Sequence, residues 1–250
     1  MSSTFVIKIS GHELDDPAYL AEFARVVAQI KDRVVVVHGG GKTISAMQIK
    51  MGIEPQYVDG IRVTDAASLE LVEMVLRGSV NTLLVRAFIN AGLDAQGMSG
   101  VDRGLIRAEK MRHAQHDMGY TGVVTSVRAE VLSAMLAQGV TPVIAPLCLG
   151  VDSALNVNAD QVAGAVAGAL DAERLYMISN VAGVLIDGGI APTLTLPQIE
   201  LLIGDGTIFG GMIPKVRSAL DALKSGAKQA VITDVSGLTA HRGTIFTSGT

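Results

Sequence analysis

A glycine cluster follows a run of four valines early in the chain. Residues 34–37 are β-branched and consecutive, which is typical of a strand buried on both faces. Three glycines stand within the next stretch, residues 38–42, and residues 44–51 have helical spacing. The glycines therefore lie where a strand passes into a helix N-terminus, where exposed N–H groups attract anions. This stretch predicts a site for an anionic substrate.

Two familiar phosphate-binding motifs do not fit the cluster. Gly41-Lys42-Thr43 resembles the end of a Walker A loop, but that loop needs a glycine where Val36 stands. A dinucleotide fingerprint that begins at Gly39 needs a small residue where Ile44 stands. A tight turn without any ligand remains an alternative from this stretch alone.

Charged side chains also stand at unusual places in apolar surroundings. Lys8 lies near the end of a short apolar strand, residues 5–9, where desolvation of an ammonium group costs free energy unless the group has a purpose. The alternative is a lysine that reaches solvent from a sheet edge. Asp160 precedes a helix of small residues, 161–170, and is predicted to be its N-cap.

The composition indicates an independently folding α/β protein. The chain has 250 residues, of which 49% are hydrophobic and 18% charged, enough for a buried core. A net charge of -4 and the lack of any basic run argue against nucleic acid binding. Cys148 is the only cysteine, so no internal disulfide is predicted. No segment has the length of a membrane span or the pattern of a signal peptide, so we expect a cytoplasmic protein.

The periodicity predicts alternating strands and helices, with a parallel arrangement of the first two strands. Strands are predicted at 5–9, 34–37, 140–145, 175–178, 230–233 and 244–246, and helices at 16–29, 44–51, 66–77, 81–91, 129–138, 161–170, 197–202 and before 224. Residues 55–63 predict a hairpin with Asp59-Gly60 at its turn. Residues 98–124 are predicted to be rich in loops. His113, His116 and Asp117 lie there, and a charged, solvated hairpin explains them better than a metal site.

Five motifs stand in a fixed order along the chain. They are Lys8 with Gly11, residues 38–41, Gly60-Ile61-Arg62-Val63-Thr64-Asp65, Asn156-Val157-Asn158-Ala159-Asp160, and Gly210-Gly211-Met212 with Lys215. In that order and at these spacings they resemble the amino acid kinase superfamily, and within it the enzymes that act on N-acetyl-L-glutamate. The resemblance covers about residues 5–247.

The resemblance implies a three-layer αβα sandwich around an open, mainly parallel sheet. It implies one domain, residues 1–250, with an amino-acid-substrate lobe at about 1–150 and a nucleotide lobe at about 151–250. The implied reaction transfers a phosphoryl group from ATP to the side-chain carboxylate of N-acetyl-L-glutamate, in arginine biosynthesis. Because a carboxylate is already ionised at neutral pH, no general base is needed.

The resemblance also assigns roles to individual residues. Catalytic roles, stabilising the transferring phosphoryl group, fall to Lys8 and Lys215, with Asp160 orienting both lysines through ion pairs. Substrate binding falls to Gly40, Gly41, Arg62 and Asn156, of which Arg62 grips the α-carboxylate with two N–H groups. Nucleotide and phosphate binding falls to Gly11, Asn180, Gly183, Leu185, Phe209 and Gly210. Mg²⁺ would be held mainly by the nucleotide phosphates and water, without protein ligands of its own.

Two departures from the family pattern qualify this assignment. Ser10-Gly11 stands where two glycines are usual, which alters an N–H contact near the γ-phosphate. The segment Tyr120-Thr121-Gly122 is similar to that of the related kinase for carrier-protein-linked aminoadipate, which is the alternative function, as is a non-catalytic ligand sensor.

The expected assembly also follows from the resemblance. Relatives inhibited by arginine carry an extra N-terminal helix that links dimers into hexamers. Since Lys8 lies close to the start of this sequence, we expect a homodimer without arginine feedback.

Overall fold

The computed structural model describes residues 3–10 and 14–248, and its centre is a large sheet. Within these residues the strands are β1 (Thr4–Ile9), β2 (Arg33–His38), β3 (Tyr57–Val58), β4 (Ile61–Arg62), β5 (Ala95–Ser99), β6 (Ile106–Lys110), β7 (Thr121–Val127), β8 (Thr141–Ala145), β9 (Leu147–Leu149), β10 (Ala154–Val157), β11 (Arg174–Ile178), β12 (Leu185–Ile186), β13 (Gly189–Ile190), β14 (Thr193–Thr195), β15 (Ala230–Thr233) and β16 (Thr244–Thr247). Eight of them form the central sheet in the order β14-β16-β15-β11-β1-β2-β8-β5. Neighbours in it are parallel except β15 and β16, as the predicted fold requires.

Helices cover both faces of this sheet. In the described residues they are α1 (Pro17–Ala28), α2 (Gly41–Lys50), α3 (Ala66–Glu73), α4 (Asn81–Asn90), α5 (Ala129–Ala137), α6 (Ala159–Ala169), α7 (Leu196–Gly204), α8 (Met212–Lys224) and α9 (Val235–Ala240). One hydrophobic core joins the sheet to α5, α6, α7 and α8, and a second core joins it to α1, α2, α3, α4 and α9. The predicted three-layer αβα sandwich is confirmed. No described helix has the length and apolar character that a membrane crossing requires.

The central strands present alternate residues to the two cores. In β1, Val6 belongs to the core on the α6 side, and Ile7 and Ile9 belong to the opposite core. Since alternate residues of a strand share a face, Lys8 lies on the α6 side. β1 is an interior strand between β2 and β11, so the alternative of a lysine on a sheet edge is wrong.

The predicted hairpin at 55–63 is confirmed, but the helices after it differ from the prediction. Asp59 and Gly60 have φ of 50° and 79°, as the tight turn between β3 and β4 demands. Instead of two separate helices, α3 passes through a π-helical segment, Met74–Val80, directly into α4. Gly78 lies between the two predicted helices, and burial of neighbouring side chains such as Leu76 offsets the roughly 1 kcal/mol that a helical glycine costs.

Residues 98–124 were predicted to be rich in loops, and residues 111–120 do lie outside the strands, but the rest of the segment contains strands that were not predicted. β5, β6 and the start of β7 lie there, and β6, β7, β9 and β10 close into a small barrel. In β6 the buried Ile106 and Ala108 alternate with exposed Arg107 and Glu109. This period-two pattern is short and rich in charge, so the surrounding glycines and polar residues obscured it.

Candidate active site

Three cavities lie beyond the carboxyl ends of the central strands, where open α/β sheets bind ligands. The Arg62 cavity, of about 270 Å³, is lined by Lys8, Ser10, Gly40, Gly41, Arg62, Asn156 and Asp160 among others. The Lys215 cavity, of about 390 Å³, is lined by Lys8, Ser10, Ile178, Ser179, Asn180, Pro214, Lys215 and Ser218. The Phe209 cavity, of about 370 Å³, includes Gly183, Leu185, Phe209 and Met212. A larger cavity between α1 and α4, of about 700 Å³, is lined by a different set of residues.

Lys8 belongs to the walls of both the Arg62 and the Lys215 cavity. Its Nζ lies 2.8 Å from Oδ1 of Asp160, and the two side chains are 14% and 13% exposed. Asp160 is the second residue of α6, so the pair connects the end of β1 to the first turn of that helix. A largely buried ammonium is thus balanced by a carboxylate, which explains how an interior strand tolerates a lysine.

The sequence predicted Asp160 as the N-cap of α6, but the structure places a different residue there. Asn158 caps the helix, with Oδ1 accepting hydrogen bonds from the N–H groups of Asp160 at 2.7 Å and Gln161 at 3.4 Å. The carboxylate of Asp160 is therefore free to face Lys8. Among the described residues its ion pair is with Lys8 alone. Lys215, in the first turn of α8, also lines the Lys215 cavity.

Arg62 is the most extensively bonded side chain of the site. It is 8% exposed, and its Nη2 donates to the Gly41 carbonyl at 2.9 Å, the Ser45 hydroxyl at 2.8 Å and the Tyr57 hydroxyl at 2.6 Å. Its Nη1 donates to Oε1 of Gln48, and its guanidinium lies 4.8 Å from the centre of the Tyr57 ring. These contacts fix the plane of the guanidinium against α2 and the hairpin.

Every hydrogen-bond partner of Arg62 described above is neutral. Within residues 3–10 and 14–248 no carboxylate forms an ion pair with it. Burial lowers the pKa of Arg62, while Tyr57 opposes that shift. An arginine remains charged despite such a shift, so the Arg62 cavity carries a buried positive charge that suits a carboxylate ligand.

Ser45 and Gln48 were not predicted from the sequence, and neither was the contact between Tyr57 and Arg62. Ser45 and Gln48 stand three residues apart on α2 and so share one face of that helix. Two polar residues at that spacing directly after a glycine cluster were a usable signal. The Tyr57 contact depends on how the hairpin folds over α2, which no local pattern reveals.

Asn156 also lines the Arg62 cavity, and a hydrogen bond to Thr64 holds its side chain. Its Nδ2 donates to Oγ1 of Thr64 at 3.0 Å, and Thr64 is fully buried. The Thr121 hydroxyl donates to the Arg62 carbonyl at 2.7 Å. The barrel strands that carry Asn156 and Thr121 therefore clamp the chain segment that carries Arg62. Thr64 and Thr121 were also missed as supporting residues.

The predicted glycines lie at the start of α2. Gly40 is the N-cap residue and Gly41 the first helical residue, so the helix N-terminus opens into the Arg62 cavity. Gly11, predicted to bind phosphate, lies outside the described residues. Ser10, the departure from the family pattern, lines both the Arg62 and the Lys215 cavity.

The residues predicted to bind the nucleotide separate into two groups. Asn180 lines the Lys215 cavity, whereas Gly183, Leu185 and Phe209 line the Phe209 cavity. Leu185 is 60% exposed and Phe209 is 73% exposed, so an apolar surface is open to solvent here. Gly210 follows directly, with φ of 55° in the loop before α8.

The histidines of residues 98–124 lie in a different setting. His113 Nε2 is 3.3 Å from Oδ2 of the exposed Asp59, and its ring centre is 5.0 Å from that of His116. The described part of the chain contains no group of three or more His, Cys, Asp or Glu residues suited to a metal ion. This pair therefore belongs to the surface of the hairpin region.

Comparison with known proteins decides the family. A sequence model described as the amino acid kinase family matches residues 3–234. The chain belongs to the amino acid kinase family. The family's match spans β1 to the end of β15, and so includes all three cavities.

Relatives within the amino acid kinase family are close. An acetylglutamate kinase of Roseiflexus castenholzii (strain DSM 13941 / HLO8) is 52% identical over 98% of this chain and 95% of its own. An acetylglutamate kinase of Chloroflexus aurantiacus (strain ATCC 29366 / DSM 635 / J-10-fl) is 48% identical over 100% of this chain and 98% of its own. Among solved structures, carbamate kinase from Giardia lamblia bound to AMP-PNP shares the fold, with a TM-score of 0.70 and 17% identity over 99% of each chain.

Proposed function

We propose that this protein is an acetylglutamate kinase, which transfers the γ-phosphoryl group of ATP to the side-chain carboxylate of N-acetyl-L-glutamate in arginine biosynthesis. The observation that carries the proposal is the Lys8–Asp160 pair at the junction of the Arg62 and Lys215 cavities. Relatives named acetylglutamate kinase that match nearly the full chain support this choice of acceptor.

The proposed reaction asks for charge stabilisation rather than proton transfer. A carboxylate oxygen of the acceptor forms a bond to the γ-phosphorus, and the bond from that phosphorus to the β,γ-bridging oxygen breaks, so that ADP leaves. The nucleophile is already ionised at neutral pH. What opposes the reaction is repulsion between the anionic acceptor and the phosphates, which positive groups and oriented N–H groups offset.

Lys8 and Lys215 are proposed as the catalytic residues that provide this positive charge. Both line the Lys215 cavity, so a phosphoryl group bound there would lie beside two ammonium groups. Asp160 holds Lys8 by its ion pair at 2.8 Å. Gly40, Gly41 and Gly11 are proposed to offer backbone N–H groups to the phosphate and the acceptor carboxylate.

Arg62 and Asn156 are proposed to bind the acceptor. Arg62 is a buried cation that has no carboxylate partner among the described residues. Asn156 lines the same cavity and is hydrogen-bonded to Thr64. A planar guanidinium can bind both oxygens of the α-carboxylate at once. The acyl group of the acceptor is proposed to lie near Tyr57 on the β3–β4 hairpin.

The nucleotide is proposed to lie across the Lys215 and Phe209 cavities. Asn180, Gly183, Leu185, Phe209 and Gly210 surround it, with the base on the apolar side. The residues present suit Mg²⁺ held by the nucleotide: Asp160, the carboxylate in these walls, is engaged by Lys8, which leaves phosphate and water oxygens as ligands. Mg²⁺ bound in this way neutralises charge on the phosphates.

The wider setting completes the proposal. We assign the acceptor lobe to about residues 1–150 and the nucleotide lobe to about 151–250, in a cytoplasmic homodimer. Light scattering at several protein concentrations tests the assembly: a particle of twice the chain mass of 26.0 kDa supports it, and a hexamer overturns it.

The deciding experiment measures ADP release from Mg-ATP with different acceptors. N-acetyl-L-glutamate, free glutamate and α-aminoadipate on its carrier protein are compared at equal concentrations. Turnover with N-acetyl-L-glutamate alone supports the proposal. Turnover only with the carrier-linked substrate selects the alternative in lysine biosynthesis, and no turnover with any acceptor selects the ligand sensor.

A further inference from the structure

His38 is a buried, neutral side chain directly beside the glycine cluster. It is fully buried at the end of β2, on the face that packs against α3, the π-helical segment and α4. Its Nδ1 lies 2.9 Å from the Gly39 carbonyl oxygen, and its Nε2 lies 3.0 Å from Nδ2 of Asn81. A carbonyl can only accept, so the ring must carry its proton on Nδ1 and accept at Nε2.

Asn81 completes the arrangement without leaving a polar group unpaired. Its Nδ2 also donates to the Val143 carbonyl at 2.9 Å, so both of its N–H groups are used. Its Oδ1 accepts from Nη1 of Arg77 at 3.3 Å. This set of partners fixes the amide orientation, and with it the tautomer of His38.

Two glycines near His38 and Asn81 leave no space for a side chain. A Cβ on Gly97 would lie 2.1 Å from Oδ1 of Asn81, so a glycine is needed there for the amide to fit. A Cβ on Gly40 would lie 2.6 Å from Cδ2 of Leu76 in the π-helical segment. The π-helical segment thus packs directly against the glycine cluster at Gly40, and Asn81, the first residue of α4, packs against Gly97 of β5. Such segments often accompany functional sites.

The hydrogen bond from His38 to the Gly39 carbonyl fixes the orientation of the Gly39–Gly40 peptide bond. The carbonyl of Gly39 and the N–H of Gly40 belong to the same planar trans peptide, so they point in opposite directions. While His38 holds the carbonyl toward the core, the Gly40 N–H points away from it. In the described residues that N–H has no hydrogen-bond acceptor, and Gly40 lines the Arg62 cavity.

We propose that His38 and Asn81 are positioning residues that lock the Gly39–Gly40 peptide, so that an N–H group and not a carbonyl oxygen faces the anionic acceptor. Glycine on both sides of a peptide bond allows the plane to turn over at little steric cost. The turned plane would present a carbonyl oxygen to a carboxylate, which repels it. The inference rests on the proposed function, because it supposes an anionic acceptor in the Arg62 cavity.

Two substitutions at residue 38 separate the two contacts. In His38→Asn the amide nitrogen takes the position of Nδ1 and can still donate to the Gly39 carbonyl. In His38→Gln the terminal amide reaches the position of Nε2, so the Asn81 contact is kept and the Gly39 contact is lost. Both variants place a neutral amide in the same buried site, so each controls for the other.

The KM for N-acetyl-L-glutamate is expected to rise about tenfold in His38→Gln and about twofold in His38→Asn, as loss of one hydrogen bond implies. The KM for ATP should stay within about twofold in both, since the lock acts on the Arg62 cavity. Equal acceptor KM values in the two variants, or a matching rise in the KM for ATP, would overturn the lock.

Asn81→Ala provides a second route if a residue 38 variant does not fold. It removes the donor to Nε2 and frees the tautomer, so the acceptor KM should rise about fivefold with the KM for ATP unchanged. An unchanged acceptor KM in this variant would also overturn the lock. Failure of the proposed function is recognised separately, because the unmodified protein would then show no turnover with N-acetyl-L-glutamate.

Discussion

The Arg62 cavity and the Phe209 cavity have walls of opposite character. Arg62 is 8% exposed and its guanidinium is held by hydrogen bonds to α2 and the hairpin. Leu185 and Phe209, by contrast, are 60% and 73% exposed. Directional bonds fix the first wall before any ligand arrives, whereas the second wall consists of apolar groups that gain burial only on binding. The Arg62 cavity, the proposed acceptor side, is therefore suited to selectivity, and the Phe209 cavity, the proposed nucleotide side, to contact area.

Lys8 is the charged residue that lines both the Arg62 and the Lys215 cavity, so its replacement should have the largest effect. In Lys8→Met we expect kcat to fall by about 10²- to 10³-fold, because a charge that stabilises the phosphoryl group is lost. Lys228→Met is the control, since Lys228 pairs with Asp171 at 2.6 Å on an exposed surface. Steady-state kinetics with both substrates varied gives the result. A kcat within threefold of the unmodified enzyme would remove Lys8 from the catalytic set.

Acidification should lower the free energy of unfolding through His38, which lies beside the Arg62 cavity. Burial lowers the pKa of His38 from 6.5 to about 4, although its bond to the Gly39 carbonyl opposes the shift. Because the native value lies below the unfolded one, the unfolded chain takes up the proton first as the pH falls. The free energy of unfolding should therefore decline between pH 6.5 and 4, by about 2 to 3 kcal/mol from this group, and that contribution should level off below pH 4.

Urea unfolding of the unmodified protein and of His38→Asn at pH 7 and pH 4.5 isolates this contribution. The carboxylates titrate in both proteins, so the difference between the two declines reports His38 alone. A decline of equal size in the variant would contradict a buried neutral imidazole.

Arg62→Lys tests whether the acceptor side recognises shape as well as charge. Lysine keeps the charge but loses the planar fork, so the KM for N-acetyl-L-glutamate should rise by about one to two orders of magnitude with a smaller loss of kcat. The KM for ATP should not change, because Arg62 lies outside the Phe209 cavity. Arg25→Lys serves as the control, since Arg25 pairs with Glu22 on an exposed helix face. An unchanged acceptor KM would show that Arg62 does not grip the carboxylate.

The two sides also differ in how far the sequence predicted them. Lys8, Arg62, Asn156 and Asp160 were predicted because short motifs of fixed order carry them, and the structure brings all four to one cavity. The partners of these residues were not predicted. Thr64, for example, bonds Asn156 across 92 positions of sequence, a contact that exists only once the barrel has formed.

The errors in secondary structure have the same cause. Gly78 and the charged strand β6 carry local preferences for a break and for a loop, and tertiary burial overrides both. Asp160 was given the cap position because aspartate favours it, but Asn158 fills that role and leaves the carboxylate for Lys8. Local preference identified the right residues in this segment and assigned their roles wrongly.

Phe209→Ala probes the apolar side and should have the smallest effect. Its ring is 73% exposed, so its removal should leave the melting temperature nearly unchanged. Loss of contact with the base should raise the KM for ATP about fivefold, while the KM for N-acetyl-L-glutamate stays constant. Leu201→Ala is the control, because Leu201 is 71% exposed on α7 and lines none of the three cavities named here. If the acceptor KM rose with the KM for ATP, the two walls would be coupled, and the contrast between a fixed acceptor side and an adaptable nucleotide side would no longer hold.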